Sequence, residues 1–299
     1  MRNAFIQELV TLARAHPHIA LVVGDLGYSV IEPFADEFPD RFINAGVAEQ
    51  NMTGLAAGMA SEGYHVFTYS IANFPTFRCA EQIRNDVDYH RLPVTVVSVG
   101  GGLAYGALGY SHHAVQDYAL IRSFPNMLIA APGDPMEVRA CLRYLVANPG
   151  PSYLRLGKAG EPCFHTEPPA LEPGCWLPVR PGSGPKAVLT TGAGLGIAMG
   201  WPGDWTLQPV YSMPLWSLAS KRAQAARLAG FQRVLTVEDH LLDGGFGSWM
   251  LEARALAPEV QAQVLPLALS AEVCGTVGSQ AMLNALGGLD QPPSSFLIA

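Results

Sequence analysis

The stretch Arg41-Phe-Ile-Asn-Ala-Gly46-Val-Ala-Glu49-Gln50-Asn51-Met52 puts a carboxylate where a strand pattern stops and a helix pattern starts. Open α/β sheets bind ligands at that carboxyl edge. The helix that follows, TGLAAGMASEG, is small and apolar, so Glu49 is expected to be partly desolvated, the condition that suits a carboxylate to proton traffic. The plainer alternative is that Glu49 only favours the helix dipole. Two further segments could serve the same chemistry. HVFTYSIANFPTFRCAEQIRND (65–86) is rich in aromatics, with Tyr69, Phe74 and Phe77 able to wall a planar ring. SVGGGLAYGALGYSHHAVQD (98–117) sets His112 and His113 in a glycine-rich loop after a strand. Such a loop can approach a ligand closely, and imidazole serves near neutral pH.

These residues need a frame. Apolar runs at 19–25, 41–46, 65–69, 93–99 and 127–132 alternate with helical patterns at 4–15, 48–61, 77–89, 116–123 and 135–147. Short, continuously apolar strands between helices predict a parallel sheet covered on both faces. Asp134-Pro135-Met136-Glu137 reads as a helix start, with Asp as cap and Pro in the first turn. Residues 163–186 are dense in Pro and Gly and are expected to be a linker. A second α/β unit follows over 187–299, with strands at 187–194, 208–213, 233–239 and 263–269 and helices near 217–229, 247–256 and 279–288. The expected class is α/β with two domains, 1–162 and 187–299, each a mostly parallel sheet flanked by helices.

Composition narrows the function. Hydrophobic residues make up 49% and charged residues 14%, so the chain can bury large cores and is not disordered. A net charge of −7 gives no basic face for nucleic acid. The apolar runs are too short to span a membrane as a helix. The five cysteines form no C-x-x-C and no zinc spacing, which points to free thiols in a reducing, cytoplasmic setting. Gly192-Ala-Gly-Leu-Gly196 is an incomplete dinucleotide fingerprint.

RFINAGVAEQNMTGLAAGMA closely resembles the pyrimidine-binding domain of transketolases, whose motif reads roughly G-[IV]-A-E-Q-N-M. The resemblance extends over most of residues 1–160 and more weakly over 187–299, as the family's C-terminal domain. It implies thiamine diphosphate chemistry, in which Glu49 would hydrogen-bond the aminopyrimidine and promote loss of the thiazolium C2 proton before attack on a ketose carbonyl. The family's aromatics stack on the pyrimidine, a role that falls to Phe74 and Tyr69, with Phe77 third. Asp25 matches a family position beside the cofactor, and Ser29 one that holds a sugar phosphate. Arg2 and Arg155 align with phosphate-site arginines. The loop resembles G-x-D-G-P-T-H-Q, which gives His112 a contact to the donor near its reacting carbon. The family's hydroxyl-reading Asp is replaced by Leu108, a change that can relax or redirect substrate choice. TVEDHLLDGGFGSWM (236–250) resembles a C-terminal-domain element, where a phosphate cradle competes with a structural turn.

Complete family members carry a G-D-G element and a later Asn that bind Mg²⁺ and the diphosphate, and this sequence has no such pair. The resemblance therefore implies the β half of a split enzyme, an α₂β₂ assembly in which a separate α subunit carries the Mg²⁺ site, acting on sugar or sugar-phosphate substrates. Two other readings stay open: a thiamine-dependent subunit that decarboxylates 2-oxo acids or forms acyloins, and a non-catalytic interaction subunit of the same fold.

Overall fold

The computed structural model describes residues 1–297, and among these two sheets form. The first half contributes β1 (Ile19–Val23), β2 (Phe42–Asn44), β3 (His65–Ile71), β4 (Val94–Val99), β5 (Leu128–Ala130) and β6 (Ser152–Leu156). Along with them run α1 (Arg2–Ala15), α2 (Glu32–Glu37), α3 (Glu49–Ser61), α4 (Phe74–Phe77), α5 (Ala80–Gln82), α6 (Asp117–Ile121) and α7 (Pro135–Ala147). The second half holds β7 (Leu177–Arg180), β8 (Lys186–Thr190), β9 (Val210–Ser212), β10 (Leu215–Ser217), β11 (Arg233–Leu241) and β12 (Gln263–Leu269). Its helices are α8 (Gly194–Met199), α9 (Gln224–Leu228), α10 (Phe246–Ala255) and α11 (Gln280–Leu286).

The seven-stranded sheet runs β10-β5-β6-β4-β3-β1-β2, parallel except for β10 against β5. The five-stranded sheet runs β12-β11-β8-β9-β7, parallel except for β7 against β9. Every residue of β1, β4 and β6 is buried, as strands covered on both faces must be. Both sheets match the expected class of mostly parallel sheets flanked by helices. Asp134 caps α7 by accepting from the Glu137 N–H at 2.8 Å.

Three departures have physical causes. The span 163–186 is not plain linker, because Leu177–Arg180 forms the edge strand β7. Pro178 is tolerated there because an edge strand leaves one row of N–H groups unpaired. The helix expected over 217–229 begins only at Gln224, since Leu215–Ser217 crosses to the first sheet as β10. Trp216 on β10 packs on Tyr118, Phe246 and Trp249, a core drawn from both halves. The helix expected over 77–89 breaks into α4, α5 and a π-helical turn, Ile83–Asp88.

Arg155 locks the two sheets together. It is buried on β6; its Nε donates to Asp117 at 2.7 Å and its Nη1 to Asp239 of β11 at 2.6 Å. Its Nη2 donates to the Ala114 carbonyl at 2.8 Å, and its guanidinium lies 4.5 Å from the Tyr118 ring centre. Removing one partner of a buried pair strands the other charge. Arg155→Met should therefore lower unfolding stability by about 3–5 kcal/mol in urea titration at pH 7. Moving to pH 5 should recover part of that loss, as the stranded carboxylates take up protons. An unchanged midpoint would show that the sheets hold together without this pair.

Burial also makes the fold acid-sensitive. His65 stacks on Phe67 inside the sheet, its Nε2 3.0 Å from the Thr95 hydroxyl, and desolvation pushes its pKa down to about 4. The folded chain holds this ring neutral while the unfolded chain protonates it near its ordinary value. Its contribution is complete above the unfolded pKa and is lost as pH falls toward 4, by on the order of 3 kcal/mol. His65→Gln should flatten the stability-against-pH slope between pH 6.5 and 4 while lowering stability at pH 7. A parallel slope would exclude His65 as its source.

Candidate active site

Asn44 ends β2 and fixes the turn into α3: its Oδ1 accepts from the Asp25 and Gly46 N–H groups at 3.1 and 3.0 Å. Gly46 has φ +73°, in the left-handed region that glycine enters freely. The chain then enters α3 at Glu49, whose side chain is only 5% exposed. Both Glu49 carboxylate oxygens accept from Arg78 Nη1, each at 3.1 Å. The Arg78 guanidinium carbon stands 4.1 Å from the centre of the Phe74 ring. Phe74 in turn meets the His112 ring edge-on, 5.2 Å between centres at 71°. Glu49, Phe74 and His112 thus form one chain of contacts running through Arg78.

Two clefts open along this chain. One, of about 420 Å³, is lined by Val47, Ala48, Glu49, Gln50, Asn51 and Arg78. The other, of about 520 Å³, is lined by Asn73, Phe74, Phe77, Arg78, Tyr110, Ser111 and Gln116. Arg78 borders both. Asn73 Nδ2 donates to the carbonyls of Ser111 and His113 at 3.2 and 2.8 Å and pins the histidine loop to α4. His112 Nδ1 lies 3.0 Å from the Ser111 hydroxyl. Partial burial, then the neighbouring His113 and Arg78, lower the His112 pKa, so the ring is neutral at pH 7.

The other sequence candidates fall elsewhere. Tyr69 is buried in the core, stacked 5.6 Å from Phe5, and lines neither cleft. Strand alternation explains this, since β3 turns Tyr69 toward α1. Arg155 is consumed by the buried ion pairs, so the expectation that it meets a phosphate gives way to its bracing role. Arg2 donates through Nε to the Lys158 carbonyl at 2.8 Å. Asp25 and Ser29 sit in the exposed loop after β1 with φ of +55° and +65°. Hydrogen bonds from Asn44 and Tyr28 hold Asp25 below the usual carboxylate range, and the Ser29 N–H donates to Glu32 at 2.7 Å. Strain of this kind on non-glycine residues persists only where surroundings impose it. Phe77 is 46% exposed at the mouth of the second cleft, and Leu108 is 56% exposed on the turn Gly106–Leu108. His113 is buried, with Nε2–H donating to the Gly106 carbonyl at 3.1 Å, so it shapes the loop.

Arg78 and Asn73 are what sequence reasoning misses. Neither stands in a motif, and their contacts reach 29 and 40 residues along the chain. The glycine turn before α10 is not a phosphate cradle, because Glu238 fills it, accepting from the N–H groups of Phe246 and Gly247 at 2.5 and 2.7 Å.

The comparisons agree with this geometry. Residues 1–160 match the family described as transketolase, pyrimidine binding domain. The chain belongs to the transketolase family. One of the two subunits of apulose-4-phosphate transketolase from Actinobacillus succinogenes is 30% identical over 260 residues, covering 85% of this chain and 83% of that protein. The like-named subunit from Phocaeicola vulgatus is 40% identical over 162 residues, 54% of this chain and 52% of that protein. That match thus spans about half the length of each. A solved split-gene transketolase, an inactive beta4 tetramer, superposes with a TM-score of 0.80 at 30% identity, covering 96% of this chain and 92% of that one.

The family implies thiamine diphosphate, and the Glu49–Phe74 cleft fits its pyrimidine end. The planar Arg78 guanidinium already lies over Phe74 with its N–H directed at Glu49, as an aminopyrimidine would require. Among the described residues no group of three or more His, Cys, Asp or Glu could hold a metal ion. Placing Tyr69 outside this cleft gives a direct check. Tyr69→Phe removes only a buried hydroxyl with no hydrogen-bond partner, so thiamine diphosphate affinity should be unchanged and stability should shift by less than about 1 kcal/mol. A tenfold loss of affinity would return Tyr69 to the cofactor wall.

Proposed function

We propose that this chain is the pyrimidine-holding β subunit of a two-chain, thiamine diphosphate-dependent transketolase. It would move a two-carbon ketol unit from a ketose to an aldose together with a separate α subunit that carries the Mg²⁺ and diphosphate site. The observation that carries this reading is the joining of a buried helix-start carboxylate, an aromatic face and a neutral imidazole: Glu49, Phe74 and His112. The relatives named as one subunit of a transketolase and as a split-gene transketolase support the division between two chains. An α₂β₂ assembly with twofold symmetry follows the usual closure rules for such complexes. Absence of a membrane-crossing helix among the described residues is consistent with it.

When bound, the cofactor supplies an electron sink for making and breaking the carbon–carbon bond beside a carbonyl. Glu49, buried at the start of α3, holds a proton at the pyrimidine ring nitrogen and can exchange it there. Phe74 presents its face to that ring, and Phe77 walls the mouth. His112, neutral at pH 7, can donate to or accept from a substrate oxygen. Its loop is held against α4 by Asn73. Asp25 and Ser29 stand at the same carboxyl edge of the sheet, where Ser29 can meet a sugar phosphate. Leu108 offers no acceptor for a sugar hydroxyl, so discrimination for that hydroxyl is lost there.

Reconstitution with the partner chain tests this. Glu49→Gln keeps the shape and removes the exchangeable proton, so turnover of a ketose donor should fall by about 10²–10⁴-fold. Unchanged turnover would remove the carboxylate from the mechanism. Calorimetry with thiamine diphosphate and Mg²⁺ should show tight binding only when both chains are present. Tight binding by this chain alone would overturn the split site. Turnover of pyruvate in place of ketoses would favour the 2-oxo-acid reading.

A further inference from the structure

The Glu49–Phe74 cleft is already filled by the chain's own Arg78. The guanidinium is planar and cationic, lies 4.1 Å over the Phe74 ring centre, and gives one N–H nitrogen to both carboxylate oxygens at 3.1 Å. Glu49 is 5% exposed on its side chain while Arg78 is 51% exposed. The buried partner is therefore fixed and the exposed partner is free to leave. Arg78 ends α4, beyond the exposed Phe77, and no other side-chain acceptor holds it among the described residues.

From this we infer that Arg78 is a built-in surrogate for the aminopyrimidine. In the unloaded chain it occupies the seat, and the cofactor must displace it. The seat accordingly selects planar nitrogen heterocycles or amidine-like groups that can both stack on Phe74 and donate to Glu49. The inference rests on reading this cleft as the pyrimidine seat, and it adds a competition that the reading itself does not require. Two features make such a surrogate useful. It keeps the desolvated Glu49 charge paired while the seat is empty, since an unpaired buried carboxylate is destabilising. It also makes occupancy depend on breaking an ion pair and a cation–π contact, each worth little at a half-exposed position, so the block is reversible.

The test uses thiamine and thiamine diphosphate as probes on the full chain, alone and reconstituted with its partner. Wild type is compared with Arg78→Ala, Arg78→Lys and the double variant Arg78→Ala/Phe74→Ala, and thermal melts confirm that each folds. Arg78→Ala should tighten thiamine binding by roughly three- to thirty-fold, the range of the two lost contacts. Arg78→Lys should fall between, because an ammonium pairs with Glu49 but is not planar. Adding Phe74→Ala should abolish the gain. Unchanged or weaker binding in Arg78→Ala would overturn the surrogate role while leaving the cofactor site intact. No binding of either probe by any variant, alone or reconstituted, would overturn the proposed cofactor together with this inference.

Discussion

A single buried guanidinium sets the geometry of this chain. Arg155 stands on the central strand β6 with almost no exposure, and a charge there is tolerable only if every N–H has a partner. Asp117 supplies one from the first half and Asp239 one from the second. The two sheets are thereby held at one separation. The loop that reaches the site is shaped by the same pair. A Cβ on Gly101 would lie 2.6 Å from Arg155 Nε, and one on Gly102 would collide with Asp239 Oδ2. The loop backbone passes directly over the ion pair and accepts from Arg155 at Ala114. His112 is delivered to Phe74 between that anchor and Asn73. The glycines thus serve close packing as much as any approach to a ligand.

Electrostatics divide the chain into two regimes. At the interdomain network, burial dominates: it pushes Glu238 up to about 8 and His240 down to about 4, while the ion pairs keep Arg155 charged. These groups are brace, and His240, stacked on Tyr118 at 5.1 Å, is sealed from any channel. At the cleft, the carboxylate is buried but its cation is half in water. A pair of that kind can be opened without unfolding anything else.

Much of this architecture is legible in the sequence because its signals are local. The continuous apolar runs mark β1, β3 and β4, the Asp134-Pro135 pair marks the start of α7, and Gly46 with Glu49 marks the start of α3. What is not legible depends on partners far along the chain. β10 looks like the start of a helix because nothing near it announces β5, its partner some 85 residues earlier. β7 hides in a proline-rich span because an edge strand needs few signals. Arg155 carries the same side chain whether it meets a phosphate or two aspartates, and only tertiary structure places Asp117 and Asp239 around it. Tyr69 and Phe74 lie five residues apart in one aromatic segment, yet strand alternation sends the first into the core and the turn after β3 sends the second to the cleft.

Leu108 shows why such a scaffold can change substrate without losing its fold. The turn Gly106–Leu108 is fixed from beneath: a Cβ on Gly106 would lie 2.5 Å from Leu283 and 2.7 Å from the Gly278 carbonyl, so the backbone rests directly on the second domain. His113 holds the same turn by donating to the Gly106 carbonyl. The Leu108 side chain itself is 56% exposed and supports nothing below it. Exchanging an acidic for an apolar side chain there alters what the loop presents while leaving the glycine contact, the buried histidine and the Arg155 anchor untouched. On the proposed reading, the residues that hold proton and ring are fixed by buried contacts, and those that read the sugar stand on a turn whose exposed positions vary at little energetic expense. Chemistry and specificity are in this way supported by separate sets of contacts.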